Sequence, residues 1–89
     1  MKYETKKQIK ESGIEKYVKV VDKMNDDVIG RYDNLKSATK DVNSYIDDCD
    51  GDCVLWAYKY QINKENKAME LIEIYHRRFS SKWILFWKD

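Results

Sequence analysis

The chain has 89 residues, with 17 Lys and Arg against 16 Asp and Glu, a formal net charge of +1 at pH 7. That balance excludes a strongly acidic nucleic-acid mimic and a strongly basic packaging protein, and the length supports one domain with a small core. The apolar run at residues 83–87 is five residues long, far below the ~20 that a membrane helix needs; no charged start followed by an apolar core suggests a signal peptide, so a cytoplasmic protein is expected.

The apolar content is unusually aromatic, with three Trp, seven Tyr and two Phe. Each ring can bury roughly 150–250 Å², so a few suffice for a small core. With 37% charged residues the remaining surface is well solvated, and intrinsic disorder is not expected. The charge is blocked along the chain. Residues 1–24 carry seven bases and four acids, residues 25–52 three and eight, and residues 53–89 seven and four, giving +3, −5 and +3. Fourteen Lys against three Arg, and eight Ile against four Leu, point to AT-rich codons and to a low-GC bacterium or its phage as the source.

Residues 1–12 are polar and Lys-rich and read as an arm or a short exposed helix, closed by Gly13. In residues 14–32, Val18 and Val20 alternate with Lys19, Asn25-Asp26-Asp27 is a turn cluster, and residues 28–32 read as a returning strand, which predicts a β-hairpin. A helical face through Ile14, Tyr17, Val18, Val21 and Met24 is the rival. Leu35, Ala38, Val42, Tyr45 and Ile46 then recur at helical spacing behind a capping Asp33 or Asn34, predicting an amphipathic helix over residues 34–48 with Gly51 as its stop. Residues 54–62 alternate as a strand, with Trp56, Tyr58, Tyr60 and Ile62 on one side and Leu55, Ala57, Lys59 and Gln61 on the other. Residues 69–76 favour a strand over a helix, and residues 83–87 form a strand that is apolar on both faces. The expected architecture is one α+β domain over residues 13–89, a hairpin, one helix and a three-stranded antiparallel meander, with the helix covering one face of the sheet. A mostly α fold is the alternative.

The acidic segment from Asp47 to Asp52 invites a calcium reading that fails on register. With Gly51 at position 6 of an EF-hand loop, position 1 is Ile46 and position 12 is Ala57, where acids are required. Zinc needs four ligands, and Cys49, Cys53 and His76 are the only Cys and His residues. A thiol nucleophile is disfavoured because the acids around the cysteines raise thiol pKa values. No metal, no cofactor and no enzymatic activity are therefore expected, and reduced cytosolic cysteines are the plain reading.

Binding carries more support. Tyr75, Arg77, Arg78, Lys82, Trp83 and Trp87 place cations among aromatics near the C-terminus, and Asp48, Asp50 and Asp52 form an acidic loop after the helix. Trp, Tyr and Arg are enriched at interface hot spots. A chain this small has difficulty covering both faces of the last strand, so an exposed aromatic face implies a homodimer or a bound target. The same mixture of bases and rings also suits nucleic acid. The stretch from Tyr17 to Ile46 resembles small phage and mobile-element proteins in style. The leading expectation is a non-enzymatic phage-type accessory protein that binds a host protein in the bacterial cytoplasm and modulates or inhibits it by surface occlusion. The alternative is a small nucleic-acid-binding regulator.

Overall fold

The computed structural model describes residues 2–48, 54–78 and 82–89. Its elements in chain order are β1 (Lys2–Tyr3), α1 (Lys6–Ser12), β2 (Lys16–Asp22), β3 (Asp27–Tyr32), α2 (Leu35–Asp48), β4 (Val54–Ile62), β5 (Met69–Arg78) and β6 (Ile84–Lys88). The strands form one open sheet in the order β1-β3-β2-β4-β5-β6, every neighbouring pair antiparallel. The molecule is thus a small α+β domain with two helices and a six-stranded antiparallel sheet.

The hairpin is β2–β3, the amphipathic helix is α2 and the meander is β4–β5–β6, so the mostly α alternative is overturned. Residues 69–78 resolve as strand because both of their edges are used. Ile74 lies opposite Tyr58 of β4 and opposite Trp87 of β6. Of the two readings of residues 1–12, an arm or a short exposed helix, residues 6–12 are the helix α1, exposed but for Ile9, and Lys2–Tyr3 form β1, with Tyr3 buried beside Ile9. A capping box starts α1: the Thr5 hydroxyl accepts from the Gln8 amide at 3.2 Å, and the Gln8 side chain accepts from the Thr5 amide at 3.3 Å. Gly13, at φ +77°, ends it in the left-handed conformation that glycine adopts without strain.

The helices lie on opposite sides of the sheet, because the residues they bury alternate along β2. Val18 and Val20 pack with Ala38 and Val42 of α2, together with Tyr32, Leu55 and Ala57. Tyr17 packs on the other side with Ile9 of α1, Tyr3 and Ile62. The buried core of α2 narrows to Ala38 and Val42, so the helix approaches the sheet closely and its polar neighbours reach strand residues.

One of those contacts fixes the β2–β3 turn. Asp22 is 3% exposed. Its carboxylate accepts from the Met24 amide at 3.0 Å, the Asn25 side chain at 3.1 Å and the Tyr45 hydroxyl of α2 at 2.5 Å. The Tyr45 hydrogen bond, ahead of the turn amides, holds the Asp22 carboxyl below its ordinary value, and the same bond pushes Tyr45 up to about 12. A carboxyl depressed on folding stabilises the native state fully above its unfolded value near pH 4, and that contribution is lost as pH falls through the folded value. Asp22→Asn is therefore expected to cost about 1–3 kcal/mol at pH 7, with the gap to wild type shrinking at the acid end of the transition. Melting curves followed by circular dichroism at both pH values check this. An equal gap at the two would show that the charge contributes nothing.

Candidate interaction face

With seven residues, α1 covers one end of its side of the sheet, around Tyr3, Tyr17 and Ile62. The rest of that side carries no helix among the described residues. The strand registers place Lys19, Arg31, Trp56, Tyr58, Ile74 and His76 on it, with Ile84 and Trp87 from β6.

β4 supplies the aromatic centre, because its side chains alternate between faces. Leu55 and Ala57 are fully buried under α2, while Trp56, Tyr58 and Tyr60 are half-buried on the opposite side. The rings there are in contact. Trp56 lies 5.2 Å from Phe86 and 6.1 Å from Tyr58, measured between centroids, and His76 meets Phe86 edge-on at 5.6 Å. Tyr60 stacks on Tyr17 at 5.1 Å and joins this surface to the α1 core.

Cations lie against these rings. The Lys23 ammonium sits 5.0 Å from the Trp56 centroid, and the Lys19 ammonium 5.3 Å and 5.6 Å from those of Tyr58 and Tyr60. Such contacts hold the charged heads over the aromatic surface at modest energetic gain. Arg31 donates to the Glu4 carbonyl at 2.9 Å, which orients it beside Lys19 across the β2–β3 pair.

The carboxylates go to the other side. Within β2 to β6 the acidic residues are Asp22, Asp27, Glu70 and Glu73. Their register positions all fall on the α2 side, opposite Asp27, Asp22, Gln61 and Lys59 respectively. There Asp22 and Glu73 serve as acceptors. Asp22 takes the Tyr45 hydroxyl, and Glu73 takes the Tyr75 hydroxyl and an ion pair with Lys59 at 3.8 Å. From α2, Asp41 accepts from Tyr32 at 2.5 Å and pairs with Lys2 at 3.7 Å. The open side is thus aromatic and cationic, with no strand carboxylate among the described residues.

The C-terminal residues singled out in the sequence divide between the two sides. Arg77 is 4% exposed, donates to the Asn43 side chain at 2.9 Å and lies 5.9 Å from the Trp83 ring. Burial lowers its pKa. The Trp83 indole donates to Thr39 of α2 at 2.7 Å. Tyr75 packs beside them against the α2 core, its pKa pushed up to about 12, first by its hydrogen bond to Glu73. Trp87 is on the open side, and Lys82 is exposed. The side chains of Arg78 and Asp48, and the residues Cys49, Asp50, Asp52 and Cys53, lie outside the described residues. Sequence reasoning passed over Lys19, Lys23, Arg31, Trp56 and Tyr58 as a surface. The alternation of residues 54–62 carried part of the signal, but no local pattern showed which side of β4 the helix would cover.

Among the described residues no group of three His, Cys, Asp or Glu side chains is gathered that could hold a metal ion, and no helix is long and apolar enough to cross a membrane. No protein-family model, curated protein or solved structure matches the chain.

Arg77 ties β5 to α2, so its removal should be felt as stability. Arg77→Ala is expected to lose about 1–3 kcal/mol in urea unfolding, from the lost packing of a buried side chain against α2 and Trp83 together with its hydrogen bond to Asn43. Unchanged stability would show that the guanidinium is not structural.

Proposed function

We propose that the protein is a small, non-enzymatic nucleic-acid-binding regulator that lays single-stranded DNA or RNA across the open side of its sheet. One observation carries this reading: aromatic rings and cations share that side, while the carboxylates of strands β2 to β6 all fall on the opposite side of the sheet, the one that carries α2. Ring faces on a sheet can stack unpaired bases whatever their identity, and neighbouring Lys and Arg neutralise the phosphates between them. Trp56, Tyr58 and Phe86 are the stacking surface, and Lys19, Lys23 and Arg31 the phosphate contacts. Paired bases in a duplex offer no free face to these rings, which favours single strands. The net charge of +1 is no obstacle, because the strand carboxylates lie on the far side, where Asp22 and Glu73, with Asp41 of α2, accept intramolecular hydrogen bonds.

A second reading keeps the same face and changes the partner: a phage-type accessory protein that covers part of a host protein and so inhibits it. The exposure of Ile84, Phe86 and Trp87, at 55%, 57% and 40%, favours it. Salt separates the two. Three phosphate contacts on a single strand predict a log-log salt slope of about −2, whereas apolar occlusion predicts little dependence.

Fluorescence anisotropy with labelled oligo-dT and oligo-U, between about 50 mM and about 300 mM salt, measures this slope. Trp56→Ala is expected to weaken binding by about tenfold or more, from the loss of one stacked base. A Lys19→Glu/Lys23→Glu variant should both weaken binding and flatten the slope. If neither oligonucleotide binds wild type at the lowest salt, the nucleic-acid reading is wrong.

A further inference from the structure

We infer that a second copy of this chain pairs with the first along β6, strand against strand, so that two sheets continue as one. The inference does not depend on what the open side binds.

Among the described residues β6 is the last strand of the sheet, with β5 on one side and no strand on the other. It is also the most apolar exposed segment described. Ile84, Leu85, Phe86 and Trp87 are 55%, 49%, 57% and 40% exposed. Register divides them between the faces: Leu85 pairs with Tyr75 on the α2 side, and Ile84 and Trp87 pair with His76 and Ile74 on the open side. A nucleic acid or a helix laid on the sheet covers only one of these faces. A strand added to the edge extends both faces at once and also satisfies the outer backbone groups of β6.

Charge and area select a second copy as that strand. Residues 84–87 carry no charge, so antiparallel pairing of β6 with itself, Ile84 opposite Trp87, juxtaposes apolar side chains and sets Lys88 opposite Trp83 rather than another cation. A face-to-face sandwich of two copies would instead oppose Lys19, Lys23 and Arg31 to the same cations. Four large side chains, each about half exposed, offer roughly 400 Å² per copy. The two copies, with their paired main chains, approach the roughly 1,000 Å² at which specific interfaces begin. Self-pairing of one strand is two-fold and closes at a dimer. The other edge, β1, spans two residues and cannot continue the sheet into a fibre.

Sedimentation equilibrium on nucleic-acid-free protein, from about 1 µM to about 500 µM, covers the affinities an interface of this area reaches. The mass is expected to rise from 10.7 kDa to twice that value over this range. Leu85→Lys on the α2 side and Ile84→Lys on the open side should each weaken the dimer by about tenfold or more, with circular dichroism confirming that both variants fold. A wild type that stays monomeric to the top of the range overturns the proposal, including the case where β6 awaits the strand of a different protein. So does a dimer that Ile84→Lys weakens and Leu85→Lys does not, since that pattern marks packing through the open side. Because no oligonucleotide is present, failure here leaves the binding result untouched.

Discussion

The arrangement of the molecule depends on the register of β4 between β2 and β5. That strand pairs along its whole length on both edges, Trp56 opposite Val21 and His76, and Ala57 opposite Val20 and Tyr75. A slip of one residue would exchange the two sides of a strand. It would put Trp56 and Tyr58 where Leu55 and Ala57 now meet α2, in a space that takes side chains no larger than these. The fit of α2 over small and branched residues thus specifies the register, and the register exposes the rings on the opposite side.

The same helix sorts the charges. Tyr45 reaches Asp22 on β2, Asp41 accepts from Tyr32 on β3, Asn43 accepts from Arg77 on β5, and Thr39 accepts from Trp83 just before β6. These polar contacts tie α2 across the sheet and draw carboxylates to its side as acceptors, since buried donors need partners. Lys2, Lys59 and Arg77 lie on that side too, the first two paired with Asp41 and Glu73, whereas Lys19 and Lys23 lie over ring faces on the open side with no strand carboxylate beside them. The placement of the strand carboxylates is in this sense tied to the packing of the helix, and it leaves the open side without them.

Much of the architecture was legible in the sequence. The period of Leu35, Ala38, Val42 and Tyr45 specified α2, and alternation specified β2 and β4. α1 is one of two readings of the Lys-rich start, and Thr5 and Gln8, three apart as a capping box requires, are the local signal that selects the helix over an arm. The proposed surface was less legible. Tyr75, Arg77 and Trp83 look like one cationic-aromatic cluster with Trp87 in the linear order, yet strand alternation puts Tyr75 and Arg77 on the α2 side, where Trp83 joins them, and Trp87 on the open side. Lys19 and Tyr58 are 39 positions apart in the chain and become neighbours only because β2 and β4 pair.

By itself the sequence determined the near-zero charge with its +3, −5 and +3 blocks, the single long amphipathic helix and the apolar final strand, since these rest on composition and local period. Only the tertiary structure decided where the blocks point. The order β1-β3-β2-β4-β5-β6 brings strands from the basic first block beside strands from the basic third. It leaves β6 at the edge, and α2 chooses the covered side. Strand order and helix placement are settled by contacts between residues far apart in the chain, which local periodicity does not encode.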